Sequence, residues 1–285
     1  MTPGPTRRLA VLGSPIAHSL SPTLQSAAYA VLGLPFEYGR AEVPAGGLRA
    51  FLATLDEDWL GLSLTMPLKR EVVPLLDTAS ALVQGLGVAN TVVLSAGAEG
   101  RHRLAGHNTD VDGIVRAVRS GSARRPETAT ILGGGATAAS ALAAAAALGA
   151  SACDLYLRDP AKAGELVALA ATLAVRLRAH PLDDLPSAGP LAFVLSTLPG
   201  GAADTLPLVP ASAEAVLLDV AYDPWPSRIA QAWTDAGGLV FSGLDMLVEQ
   251  AIGQVRLFTG GEQNVPLERE NEVRRVMRAA VDLPA

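Results

Sequence analysis

The stretch TATILGGGATAAS, residues 128–140, decides the fold class of this chain. It opens on an apolar run, turns through Gly133, Gly134 and Gly135, and continues from Ala136 into an alanine-rich segment. A short strand, the pattern G-x-G-x-x-A and a helix together form the turn on which dinucleotides rest. Gly133 permits the tight turn, Gly135 lets backbone approach a pyrophosphate, and small Ala138 in the third slot lets helix pack on strand. The helix start then offers free N–H groups to phosphate oxygens. A purely structural glycine turn can carry the same letters, so the surrounding chain has to decide.

The next apolar run, ACDLYL (152–157), is followed by Arg158 and, one turn on, Lys162. An acidic residue at that strand tip accepts hydrogen bonds from a ribose 2′-hydroxyl, whereas an arginine favours a 2′-phosphate. The basic pair therefore points to NADP. Asp159 keeps NAD open, because its carboxylate repels a phosphate unless it turns away. An exposed Arg158–Asp159 turn without a ligand is the plainer alternative.

The same alternation runs through the whole chain. RLAVLG (8–13) and LGLSLT (60–65) read as strands in the first part, and LAFVLST (191–197) and AVLLDVAY (215–222) in the second. Between the first two, SPTLQSAAYAVLG (21–33) reads as a helix. Ser21 caps it, Pro22 takes the first helical position, Gly33 ends it, and Leu24, Ala27, Ala28, Val31 and Leu32 share one face. Strands separated by helices imply parallel pairing and an α/β class. The seam lies near residues 110–127, where the helix VDGIVRAVRSG gives way to the polar link SARRPET. Two helices at the end, within 243–260 and 265–280, fold back onto the first domain. The expected division is a substrate domain of residues 1–110 plus 244–285 and a Rossmann-type dinucleotide domain of 111–243.

Composition narrows the function. The chain has 285 residues, 49% hydrophobic and 18% charged, so it can build a sizeable core. A net charge of −6 with no basic run argues against nucleic acid as a partner. The single cysteine, Cys153, forms no internal disulfide, and the four histidines show no metal-ligand spacing. The apolar run before Gly13 is too short for a signal peptide, and ASALAAAAALGA (139–150) is too short to span a bilayer. A cytoplasmic enzyme acting on a small molecule, monomeric or homodimeric, fits best.

Four polar patches interrupt the apolar elements. GSPIAHSLSP brings Ser19 and Ser21, SLTMPLK brings Ser63, Thr65 and Lys69, GVANT brings Asn90, and GHNTDVDG brings Asn108, Thr109 and Asp110. Each serine alone is a plausible cap, but loops at the carboxyl ends of strands are where ligands gather in open sheets. Lys69 draws notice because the chain holds only two lysines, Lys69 and Lys162, among 22 basic residues. Lysine can release a proton near neutral pH where arginine cannot. Pro67 starts a helix that puts Lys69 in its first turn, where the dipole disfavours positive charge, and Asp110 opens a helix where the dipole favours its anion. A solvated surface lysine is the plainer reading.

Taken in order, these motifs resemble the shikimate dehydrogenase family over nearly the whole chain: GSPIAHSLSP, the T-x-P-x-K of SLTMPLK, ANT, NTD, the glycine turn and GLDMLVEQA (243–251). The resemblance implies NADPH-dependent, reversible reduction of 3-dehydroshikimate to shikimate on the route to aromatic amino acids. It implies Lys69 as the catalytic lysine and Asp110 as its carboxylate partner. Ser19, Ser21, Ser63, Thr65, Asn90, Tyr222 and Gln250 match positions that hold substrate. Gly133, Gly134, Gly135, Ala136 and Ala138 match the pyrophosphate turn, Arg158 and Lys162 the 2′-phosphate pair, and Ser196, Thr197, Gly243 and Met246 the nicotinamide surroundings.

Departures from the family pattern are visible as well. Ser63 stands where asparagine is frequent, Leu157-Arg158-Asp159 replaces Asn-Arg-Thr, LSTLPGG replaces the NAT stretch, and Leu24-Gln25 replaces Ile/Leu-His. His18 shapes its loop, and Trp59 and Trp225 read as packing residues. An NAD-preferring quinate or aminoshikimate dehydrogenase is the alternative enzyme. A non-catalytic ligand sensor is the alternative outside enzymes, disfavoured by the retention of both Lys69 and Asp110.

Overall fold

A computed structural model describes residues 6–97 and 101–284. The outermost residues of the expected substrate domain, 1–5 and 285, lie outside the described residues. The chain divides into two compact units, one of residues 1–109 with 248–285 and one of 110–247.

The first unit holds β1 (Arg7–Gly13), α1 (Ser21–Leu32), β2 (Phe36–Glu42), α2 (Leu48–Leu52), β3 (Trp59–Leu64), α3 (Leu68–Glu71), β4 (Thr78–Ala79), α4 (Ala81–Leu86), β5 (Thr91–Ala96) and β6 (His102–His107). Its six strands run in the order β2-β1-β3-β5-β6-β4. The expectation of parallel pairing fails here in part: β5 lies antiparallel to both β3 and β6. The link between β5 and β6 has no room for a crossover helix, and a short link can only return a strand antiparallel. Leu12, Leu62, Leu64, Leu68, Val72 and Val92 form the core beneath one face of this sheet.

Helix α1 departs from its expected start. Its N-cap is Leu20, already in helical conformation, so Ser21 is the first helical residue and Pro22 the second. Ser21 caps nothing; its amide donates to Ser19 Oγ at 3.4 Å. The buried stripe is Ser21, Leu24, Gln25, Ala28 and Tyr29, rotated from the apolar face read in the sequence. Gln25 and Tyr29 go inward because tertiary partners await them, which an apolar count cannot register. Gly33 ends the helix in the left-handed region, as expected.

The second unit holds α5 (Asp110–Arg119), β7 (Thr128–Leu132), α6 (Ala136–Leu148), β8 (Ala152–Leu157), α7 (Gly164–Thr172), β9 (Arg176–Pro181), β10 (Phe193–Ser196), β11 (Val216–Asp219), α8 (Arg228–Asp235) and β12 (Leu239–Ser242). All five strand pairings are parallel, in the order β9-β8-β7-β10-β11-β12. Numbered along this unit, that order is 3-2-1-4-5-6, the doubly wound Rossmann arrangement. Helix α6 is apolar all round and nine of its 13 residues are buried, as a helix covered on every side must be. Trp233 of α8 is wholly buried in the core and donates its indole N–H to the Ala215 carbonyl at 3.2 Å. Trp225, read as a packing residue, is 37% exposed in a loop where Pro224 and Pro226 flank it.

Helix α9 (Gly243–Phe258) carries the chain from the second unit back into the first, where α10 (Glu270–Ala279) follows. Among the described residues no helix is long and apolar enough to cross a membrane.

Candidate active site

In the second unit the order reverses between β7 and β10, and the loops after these strands interlock. Gly133 has φ +99, and a Cβ there would lie 2.7 Å from Thr197 Oγ1. Only glycine fits such a turn. Thr197 in turn donates both its amide and its hydroxyl to the Leu132 carbonyl, each at 2.8 Å. Gly134 is exposed beside Leu157, while Gly135 caps α6 with open space where a Cβ would sit. That open space, next to the first amides of a 13-residue helix, is what a pyrophosphate needs, so the residues present fit a dinucleotide. Ala136 is half-buried and Ala138 fully buried.

Arg158 and Lys162 are both exposed beyond β8. Asp159 answers the question its position raised. Its Oδ1 accepts from the Ala161 amide at 3.2 Å, and its Oδ2 lies 3.7 Å from Lys162 Nζ. The carboxylate is thus turned onto its own 3₁₀ turn and onto the second basic group.

The remaining groups of this unit line the carboxyl ends of neighbouring strands. Ser196 ends β10, fully buried, in register with Asp219 at the end of β11. Asp219 accepts from Ser227 Oγ at 2.6 Å and from the Ala221 amide at 3.3 Å, pinning the loop that carries Tyr222. Burial pushes the Asp219 carboxyl up, and these donors pull it part of the way back. Tyr222 is half-buried; burial and then the Asp223 charge push its phenol up, so it stays protonated. Gly243 is buried at the start of α9, where any Cβ would overlap the Val220 carbonyl, and Met246 is buried three residues on. Asp110 belongs to this unit as the first residue of α5 and is 3% exposed.

In the first unit, Asn90 is the hub. Its Oδ1 accepts from the Thr109 amide and the Thr91 hydroxyl, both at 2.8 Å. Its Nδ2 donates to Thr109 Oγ1 at 2.9 Å and to Gln250 Oε1 at 3.4 Å. Residues 19 and 160 positions apart are thereby joined into one buried amide–hydroxyl cluster. Lys69 is the second residue of α3, its side chain buried, and its carbonyl accepts from the Ala89 amide at 2.8 Å, one residue before the hub. α3 is a single turn of four residues, so the dipole invoked for Lys69 is small. Thr65 is half-buried and its carbonyl takes the Leu68 amide at 2.8 Å, closing the turn into α3. Ser19 is half-exposed in the loop before α1, and Ser21 is buried.

Ser63 is set apart from the other candidates. It is 3% exposed, accepts from Tyr38 Oη at 2.6 Å and donates to Gln254 Oε1 at 3.0 Å, which also accepts from Gln25 Nε2 at 3.0 Å. The Ser63 hydroxyl, implied by the resemblance to hold substrate, is thus engaged by Tyr38 on β2 and Gln254 on α9. Gln254 and Tyr38 were missed in the sequence. The i, i+4 pair Gln250/Gln254 was the available signal, since that spacing puts both amides on one helix face.

Comparison with known proteins sets this geometry in context. The family model for the shikimate dehydrogenase substrate binding domain matches residues 11–92. The solved Mycobacterium tuberculosis shikimate dehydrogenase is 35% identical, with a TM-score of 0.79 over 97% of this chain and 99% of that one. This chain belongs to the shikimate dehydrogenase family. A further shikimate dehydrogenase structure, that of Thermus thermophilus in complex with NADP(H) and shikimate, is 31% identical, with a TM-score of 0.77 over 96% of this chain and 99% of that one. The pentafunctional AROM polypeptide of Malassezia globosa is 36% identical over 90% of this chain; the match spans 17% of that polypeptide. Among the described residues no group of three or more His, Cys, Asp or Glu side chains is placed to hold a metal ion.

Proposed function

We propose that this protein is an NADP-dependent shikimate dehydrogenase that interconverts 3-dehydroshikimate and shikimate in aromatic amino acid biosynthesis. In this reading residues 1–110 with 244–285 bind substrate and residues 111–243 bind the dinucleotide. The observation that carries it is the full-length match to the Thermus protein held with NADP(H) and shikimate. The open glycine turn before α6 and the buried Lys69–Asn90 region supply the two chemistries such a pair requires.

When bound, NADPH supplies the hydride. Lys69 donates the proton to the carbonyl oxygen as it becomes an alkoxide, and takes one from the hydroxyl in the reverse direction. Asp110 is the anion that orients the hydroxyl and holds the lysine protonated for its donor role. Ser19, Ser21, Ser63, Thr65, Asn90, Gln250 and Tyr222 bind the ring substituents. Arg158 and Lys162 take the 2′-phosphate, and Ser196, Thr197, Gly243 and Met246 shape the nicotinamide side.

Asp159 favours a second reading. Because it already occupies the Ala161 amide and Lys162, an NAD-preferring quinate or aminoshikimate dehydrogenase competes. Nicotinamide absorbance separates the two, with NADP and NAD each run against shikimate and quinate. Fast turnover with NADP and shikimate alone is expected. Preference for NAD or quinate selects the second reading, and no turnover with any pair removes both.

A further inference from the structure

The β5–β6 hairpin has two ends, and only one belongs to the site above. Asn90 and Asn108 flank the end where Thr91 pairs with His107. At the other end Ala96 pairs with His102. Five residue steps separate these pairings, about 17 Å at the usual strand rise.

A cavity of about 770 Å³ opens at that far end, bounded by the α2 segment on one side and β6 on the other. Its walls carry Arg49, Arg101 and Arg103, all exposed, and His102. Its floor is apolar, with Leu52, Leu55 and Leu75. Among the described residues one carboxylate lines it, Asp77, and its Oδ2 accepts from the Leu104 amide at 2.7 Å. Among the described residues none of the three guanidiniums takes part in an ion pair. The described lining is therefore net positive on a chain whose net charge is −6.

We infer that this cavity is a second ligand site, for a small organic phosphate with an apolar body. Three arginines lining one space suit a dianion better than a monoanion, because a guanidinium can bond two phosphate oxygens in a plane. The leucine floor suits an apolar ring or chain attached to that phosphate. The volume lies in the range of small-molecule pockets, roughly 300–1,000 Å³. The His102 Nε2 lies 2.7 Å from the Asp56 carbonyl, which can only accept, so Nε2 carries a proton and ties the cavity wall to the loop before β3.

The test is calorimetric titration of the whole protein with phenyl phosphate and with inorganic phosphate, alongside amide and imidazole NMR. Saturable binding of phenyl phosphate is expected, tighter than inorganic phosphate, with shifts centred on His102 and Leu104. A variant carrying Arg49→Glu and Arg103→Glu should bind at least tenfold more weakly with an unchanged circular dichroism spectrum. Equal binding by this variant and the wild type, or no saturable binding, overturns the site. Inorganic phosphate binding as tightly as phenyl phosphate overturns the organic ligand. None of these readouts depends on dehydrogenase turnover, so the site and the proposed activity stand or fall separately.

Discussion

Replacing Arg256 by methionine should destabilise the first unit sharply. Arg256 lies on α9 with 2% of its side chain exposed. It donates to both oxygens of Glu270 on α10, at 2.8 and 2.6 Å, and to the Gln263 carbonyl at 2.6 Å. Three charge-assisted bonds at about 1.5 kcal/mol each amount to roughly 4–5 kcal/mol. That agrees with the about 3–5 kcal/mol typical of breaking one side of a buried pair. At about 2–4 °C per kcal/mol for a unit of this size, melting should fall by roughly 10 °C or more. The loss should also depend on pH. Burial raises the Glu270 carboxyl, but the Arg256 hydrogen bonds, the Leu267 amide and the charges of Arg256 and Arg274 outweigh it and leave it below its ordinary 4.5. A depressed acid contributes stability above its unfolded value and loses it as pH falls through the folded one. The gap between wild type and Arg256→Met should therefore be full at pH 6–8 and shrink in acid below about pH 4.5. The paired change Arg256→Met with Glu270→Leu should recover part of the loss, since the half-paired Glu270 carboxylate, left with Arg274 and the Leu267 amide, is then gone. Thermal melts followed by circular dichroism at several pH values read all of this. A melting point within about 2 °C of wild type at neutral pH, or a double variant no better than the single, would refute the reasoning.

Lys69→Met should lower kcat by about 10²–10⁴-fold with a modest change in the shikimate KM, and Lys69→Arg should not restore it, because a guanidinium keeps its proton. Full turnover by either variant removes the acid–base role. Gly133→Ala should cost about 1–3 kcal/mol of stability and weaken dinucleotide binding, whereas Gly135→Ala, with open space around it, should weaken binding alone. Equal melting points for the two, with cofactor titration unchanged in both, would contradict the turn assignment. Cys153 is buried; burial, with a smaller push from Asp154 and a partial offset from the Ala129 backbone, lifts its thiol to about 12. Iodoacetamide at pH 8 should label it only on unfolding, and rapid labelling of the native protein, read by mass, would show the thiol is not sequestered.

Local chemistry was readable wherever the deciding contacts lie within a few residues. The strand, glycine turn and alanine-rich helix at 128–148, the turn that seats Lys69 in α3, and Asp110 at the start of α5 all emerged where their residues pointed. Such signals rest on backbone freedom, caps and side-chain periodicity, which a single turn of chain already contains. The stripe of α1 was misread because Gln25 and Tyr29 are buried by polar and aromatic partners, which an apolar count does not register.

The sequence by itself determined that this is an α/β chain with a dinucleotide turn, a lysine-bearing loop after a strand and the ordered motifs of its family. Only the tertiary structure decided that β5 lies antiparallel beside β3, that Asn90, Thr109 and Gln250 share one cluster, and that the Ser63 hydroxyl is held between Tyr38 and Gln254. The reason is range. Turn and helix preferences act over a few residues of chain, whereas the partner of a buried polar group is whichever element packing brings near, here up to 229 residues away.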